Sequence, residues 1–137
     1  MKKIVFIILI IASLLMISCS NSDQTVEENE NKAEGKVIMI SPEEAKENLD
    51  EDSEIVLLDV RTPSEYESGH IEDAVLLPLD QLNEKASEVI PDQEKIYYVY
   101  CRSGNRSATA AQLLVDMGYE NIYDLGGIID WPYDTVK

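Results

Sequence analysis

The sequence predicts an α/β domain with a central, mostly parallel five-stranded sheet and helices on both faces. Three observations predict it. Five short apolar runs recur along the chain, each followed by a polar or helical stretch. The runs do not alternate cleanly between polar and apolar, as expected of parallel strands buried on both faces. Two helical stretches open with the same start signal: Ser or Thr, then Pro, then Glu three residues after the first.

The elements follow in order. "VIMI" (37–40) is the first apolar run. In "SPEE", Ser41 is the expected cap, Pro42 the first helical residue and Glu44 the return partner of a capping box, with the helix running to about Leu49. "EIVLLDV" (54–60) reads as a buried strand. "TPSE" repeats the signal with Thr62, Pro63 and Glu65, and that short helix should stop at Ser68, before Gly69. "AVLLPL" (74–79) is another strand-like run, after which Asp80 should cap a helix to about Val89. "KIYYVY" (95–100) is the clearest strand, rich in aromatic and β-branched residues. A helix over 107–117, closed by Gly118, and a last strand "NIYDL" (121–125) complete the set, followed by "GG" and a turn ending in "DWPY".

The domain is expected to span 37–137. Before it, Lys2 and Lys3 precede an apolar stretch over 4–17, with Ser18 and Cys19 behind it. That is the layout of an export signal over 1–18. At about 1.5 Å per residue, the apolar stretch falls short of a hydrocarbon core about 30 Å thick. "LLMISC" resembles a bacterial lipobox, with Met16 where leucine is usual, which implies a lipidated Cys19 at the mature N-terminus. Two acyl chains supply stable anchoring where one does not. The expectation is an exported protein, held by lipid on the outer face of the cytoplasmic membrane or on the periplasmic side. Residues 20–36 are polar and acidic and read as a tether reaching roughly 20–25 Å as a coil.

The formal net charge is −16, and cleavage before Cys19 would take it to about −18 by removing two lysines. Nucleic acid is therefore not an expected partner, because binding it requires a basic footprint. The oligomeric state is left open. With Cys19 lipidated, Cys101 is the only remaining thiol, so no disulfide is expected within the domain. One histidine and one free thiol make a poor metal-ligand set, and neither metal nor cofactor is expected.

Cys101 follows "IYYVY" directly, at the carboxyl end of a strand, where open α/β sheets bind ligands. "RSGNR" comes next, then a helix start. Unpaired helix N-H groups, a turn made possible by Gly104 and the charges of Arg102 and Arg106 should together hold negative charge beside the sulfur. Such settings depress a thiol pKa and make the thiolate available as a nucleophile.

"CRSGNRS", the "GGIIDW" that closes the chain's last segment, and "LLDVRTPSEYESGHIEDAVLLPL" (57–79) together resemble the single-domain rhodaneses, a family of sulfurtransferases. The resemblance implies an α/β rhodanese-like fold. It also implies that Cys101 takes sulfane sulfur from a donor such as thiosulfate and passes it on to an external thiol or to cyanide. Carried over by position, Cys101 is the nucleophile and Arg102, Ser103, Gly104, Asn105 and Arg106 form the sulfur cradle, with Arg106 orienting the donor and Arg102 assisting. Asp59 and Arg61 match the family's "DVR" as structural support, with Arg61 paired to a carboxylate near the loop. His70 is expected to satisfy local backbone groups. Glu72 and Asp73 stand where the family commonly has "PG", which leaves the turn geometry there open and the chemistry unaffected. Gly126, Gly127 and Trp131 are read as turn and packing.

Two rivals remain at this stage. Cysteine phosphatases use Cys-x5-Arg, whereas here the arginine is the fifth residue after the cysteine and Ser107 the sixth. The shorter loop suits one sulfur atom better than a tetrahedral phosphate. The other rival is a dedicated persulfide carrier or a non-catalytic binding module.

Overall fold

The computed structural model describes residues 35–137. The expected export signal, Cys19 and all but the last two residues of the tether lie outside the described residues. The elements are β1 (Ile38–Met39), α1 (Pro42–Glu51), β2 (Val56–Asp59), α2 (Pro63–Ser68), β3 (Val75–Leu76), α3 (Leu82–Val89), β4 (Ile96–Cys101), α4 (Asn105–Asp116) and β5 (Asn121–Gly127). The strands form one five-stranded sheet in the order β1-β5-β4-β2-β3, and every pairing is parallel.

The sheet separates two cores. Along β4, Tyr97, Val99 and Cys101 face one side, where they meet Leu82 and Ala86 of α3 and Ala110, Ala111 and Leu114 of α4. Tyr98 and Tyr100 face the other side, with Ala45 of α1, Leu57 and Trp131. Helices thus cover both faces, which is why β4 is apolar at nearly every position. Its tyrosines keep their hydroxyls satisfied while their rings are buried. Tyr98 accepts from Asn48 Nδ2 at 2.8 Å, Tyr97 donates to the Asp92 carbonyl and Tyr100 accepts from the Ile71 N-H at 3.2 Å.

Several boundaries differ from expectation, each for a local reason. The Ser41 hydroxyl accepts from the Glu44 N-H at 3.2 Å, but Glu44 makes no return bond, so only half of that capping box forms. At Thr62 both halves are present. Asp80 does not cap α3. The chain leaving β3 is tied down by the Leu79 N-H donating to the Val60 carbonyl, and Leu79–Gln81 tightens into a 3₁₀ turn that encloses Asp80. Cys101 is the last residue of β4 rather than the first after it. The helix behind it begins at Asn105, two residues earlier than expected, because Gly104 caps it with a left-handed φ of 100°. Asp73 also adopts a left-handed conformation, with φ 61°, so the turn that the sequence left open takes a geometry more usual for glycine.

Candidate active site

Cys101 ends the central strand on the α4 side of the sheet and is 1% exposed. The chain then turns through Arg102 and Ser103 to Gly104 and re-enters a helix, so the sulfur lies at the N-terminal mouth of α4. The Gly104 N-H donates to Sγ at 3.0 Å. Burial works to raise the thiol pKa, but the amides of Ser107, Gly104 and Ser103, with the Ser107 hydroxyl, outweigh it and hold the thiol below its ordinary value. The Ser107 hydroxyl also donates to the Gly104 carbonyl at 2.9 Å. It carries one proton and serves one acceptor at a time, so the amides supply the constant part of the effect.

The loop rests on β5. A bulge in the β4–β5 ladder pairs Tyr100 with Gly126 and Cys101 with Gly127. Gly126 takes φ 85°, and its N-H donates to Asp124 Oδ1 at 2.9 Å. Gly127 then runs directly beneath the loop, where a Cβ would lie 2.5 Å from the Arg102 carbonyl oxygen. The Ile129 N-H donates to that same carbonyl at 3.2 Å and pins the loop from the far side.

The arginines are placed differently from one another. Arg106, in the first turn of α4, grips Glu65 of α2 with two bonds of 2.8 Å, Nη1 to Oε2 and Nη2 to Oε1. Glu65 is at once the return partner of the Thr62 capping box, accepting from the Thr62 N-H at 3.1 Å. Hydrogen bonds from Arg106, then from Thr62, hold its carboxyl at a pKa of about 2 against the opposing effect of burial. Arg61 pairs with Asp59, Nη2 to Oδ2 at 2.6 Å, and donates to the Gly69 carbonyl at 2.9 Å. Arg61 thus pairs with a carboxylate close to the loop, since Asp59 lies in register with Tyr100 just before Cys101, while the carboxylate on α2, Glu65, belongs to Arg106. Arg102 is exposed and makes no side-chain hydrogen bond or ion pair among the described residues.

Asn105 opens α4, and its carbonyl accepts from Thr109 Oγ1 at 3.1 Å. His70 lies over Tyr66, ring centroids 3.7 Å apart, with Nδ1 3.0 Å from the Tyr66 carbonyl and its backbone bridged to Val136. A cavity of about 750 Å³ opens at the amino-terminal end of β2 and β3, lined by Leu49, Leu57, Ile71 and Trp131 among others. It holds no part of the cysteine loop, and the chemistry belongs where the nucleophile and its donors meet.

The chain that builds this site matches the rhodanese-like domain family model over residues 41–132. The chain belongs to the rhodanese-like family. It is 34% identical over 80 residues to the thiosulfate sulfurtransferase PspE of Escherichia coli, an alignment covering 58% of this chain and 77% of that one. It is 38% identical over 93 residues to a sulfurtransferase of Allochromatium vinosum, covering 67% and 85%. A solved rhodanese-related protein of Thermoplasma volcanium superposes with a TM-score of 0.64 at 33% identity, covering 72% of this rhodanese-like chain and 97% of that one.

Reading the sequence missed two residues at this rhodanese-like site. Ser107 entered as the expected helix start and as a count against the phosphatase spacing, with no part in the site, and Glu65 only as half of a capping box. A serine one turn into the helix was a visible signal for the first. For the second there was none, because its partner lies 41 residues away.

Proposed function

We propose that this rhodanese-like chain is a sulfurtransferase that carries sulfane sulfur on Cys101, from an anionic donor such as thiosulfate to an external thiol. We propose further that it does so outside the cytoplasm, held by a lipid on Cys19. The observation that carries the first reading is the Cys101 sulfur at the mouth of α4, accepting an amide N-H at 3.0 Å and held below its ordinary pKa. The names of the Escherichia coli and Allochromatium vinosum relatives support it.

The cycle has two displacements. The Cys101 thiolate attacks the sulfane sulfur of the donor and forms a new S–S bond. The donor's own S–S bond breaks, its electron pair leaves with sulfite, and a Cys101 persulfide remains. The amides that favoured the thiolate then face the persulfide, a preorganised set of donors in the manner of an oxyanion hole. An acceptor thiolate next attacks the outer sulfur and leaves as a persulfide, returning the Cys101 thiolate. Covalent storage divides one hard step into two and gives ping-pong kinetics. Cys101 is the only free cysteine among the described residues, so the acceptor thiol comes from elsewhere.

Mass spectrometry of the protein after exposure to thiosulfate tests the transfer step. One added sulfur, about 32 Da, should appear on the Cys101 peptide and be removed by cyanide as thiocyanate. No gain from thiosulfate or from any other sulfane donor contradicts the reading. For the anchor, Cys19→Ser should abolish incorporation of a labelled fatty acid in the producing cell, and incorporation that survives the change contradicts it.

A further inference from the structure

The cavity of about 750 Å³ at the amino-terminal end of β2 and β3 lies at the opposite end of the parallel sheet from Cys101, which closes β4. Its size is that of a small-molecule site. Its floor is apolar, with Leu57, Ile71 and Trp131 all buried. Its exposed rim is acidic. Asp50 and Asp52 stand at the end of α1, Glu72 and Asp73 in the turn before β3, and Asp134 in the C-terminal segment. Against these carboxylates the lining supplies one cation, Lys46, which is already paired with Asp50. Asp52, Glu72, Asp73 and Asp134 enter no ion pair among the described residues.

Trp131 adds a second, independent feature. Its side chain lines the cavity, it is 8% exposed, and its Nε1-H is buried with no acceptor among the described residues. An indole N-H only donates, and a buried donor left unpaired is the exception in folded proteins. The ring packed edge-on against that indole belongs to Tyr133, with centroids 5.1 Å apart. Tyr133 is 40% exposed and also lines the cavity, so on this side the indole's neighbour is a surface side chain and not the core.

We infer that this cavity binds a small organic amine, with its ammonium group among the rim carboxylates, its apolar body on the floor and a carbonyl oxygen on the Trp131 N-H. An anion meets repulsion at the rim, and a neutral apolar molecule leaves the carboxylates unmatched. A metal ion gains nothing from the apolar floor, and no cluster of side chains among the described residues is arranged to hold one. The amine bears the opposite charge to an anionic sulfur donor, and the cavity shares no lining residue with the cysteine loop, so binding here does not depend on sulfur transfer.

Phenylalaninamide carries all three features and serves as the probe, at about pH 6, where its α-amino group is protonated. Trp131 is the only tryptophan in the sequence, so its fluorescence reports on the cavity directly. Titrating the full chain should change that emission and saturate with a Kd of about 1 mM or tighter. N-acetylphenylalaninamide, which lacks the charge, should bind about tenfold more weakly, and phenethylamine, which lacks the carbonyl, about fivefold more weakly. Glu72→Gln with Asp134→Asn should weaken phenylalaninamide about tenfold. Glu84→Gln with Glu88→Gln removes the same charge from α3, on the other face of the sheet, and should leave binding within about twofold. Circular dichroism checks that both variants fold, and the probe series on the wild-type protein needs no substitution. No change in emission up to about 20 mM phenylalaninamide, equal binding of the neutral probe, or equal losses in the two double variants would overturn the inference. Phenethylamine binding as tightly as the amide would remove the Trp131 N-H from the site.

Discussion

A Cβ at Gly127 would lie 2.5 Å from the Arg102 carbonyl oxygen and 2.7 Å from the Ser103 Cα. Both are backbone atoms of the loop that carries the sulfur site, so the loop must move if the position is filled. Gly127→Ala should therefore cost about 1–3 kcal/mol, as overpacking does, and lower sulfur transfer on the order of 100-fold by misplacing the amides. Gly126 offers the control. Its φ is 85°, yet an added Cβ meets nothing within 4 Å. Gly126→Ala should cost about 1 kcal/mol in backbone strain and leave persulfide loading nearly intact. Thermal melts read with donor kinetics separate the two, and equal losses of activity would contradict this account of the loop. The adjacent glycines were legible in the sequence as a turn with packing. Which of them supports the loop was not, because that depends on a bulge that pairs Cys101 with Gly127.

At the scale of elements, α2 and α4 are joined by the Glu65–Arg106 pair. The pKa of Glu65 is lowered to about 2, so the folded state favours its ionised form. The stabilisation it contributes is complete above the unfolded carboxylate value, roughly 4.3, and is lost as the pH falls through about 2. Both side chains are about one third exposed, so solvent screens the pair and its contribution is modest. Urea melts of the wild type and Glu65→Gln should differ by a constant amount above about pH 5 and converge toward pH 2. A difference independent of pH down to pH 2 would show that the charge on Glu65 contributes nothing. Most elements were legible from the start signals and apolar runs. The exceptions were boundaries set by tertiary bonds. The Leu79 N-H reaching Val60 tightens the turn around Asp80, and the left-handed Gly104 draws Asn105 and Arg106 into α4. Arg106 thereby becomes a helix residue bonded to Glu65, where the sequence suggested a loop residue.

At the scale of the whole molecule, the parallel sheet and its two covered faces followed from strands with no polar face, and the family's segments at 57–79 and 101–107 pointed to the same fold. What pattern could not show was how a net charge of −16 bears on an anionic substrate. Repulsion from the acidic body acts over a Debye length, while Arg102 acts at contact. Raising the salt from about 0.02 to 0.3 M should therefore increase kcat/KM for thiosulfate, and more than for a singly charged donor. A fall with salt would mean that local attraction dominates the approach. The same contrast defines the most direct test of the whole account, since the helix mouth must hold a thiolate inside that acidic body. The rate of Cys101 alkylation by iodoacetamide, followed against pH, should titrate with a midpoint below the value of about 8.5 for free cysteine. A midpoint at or above that value, in protein that is fully folded, would contradict the account.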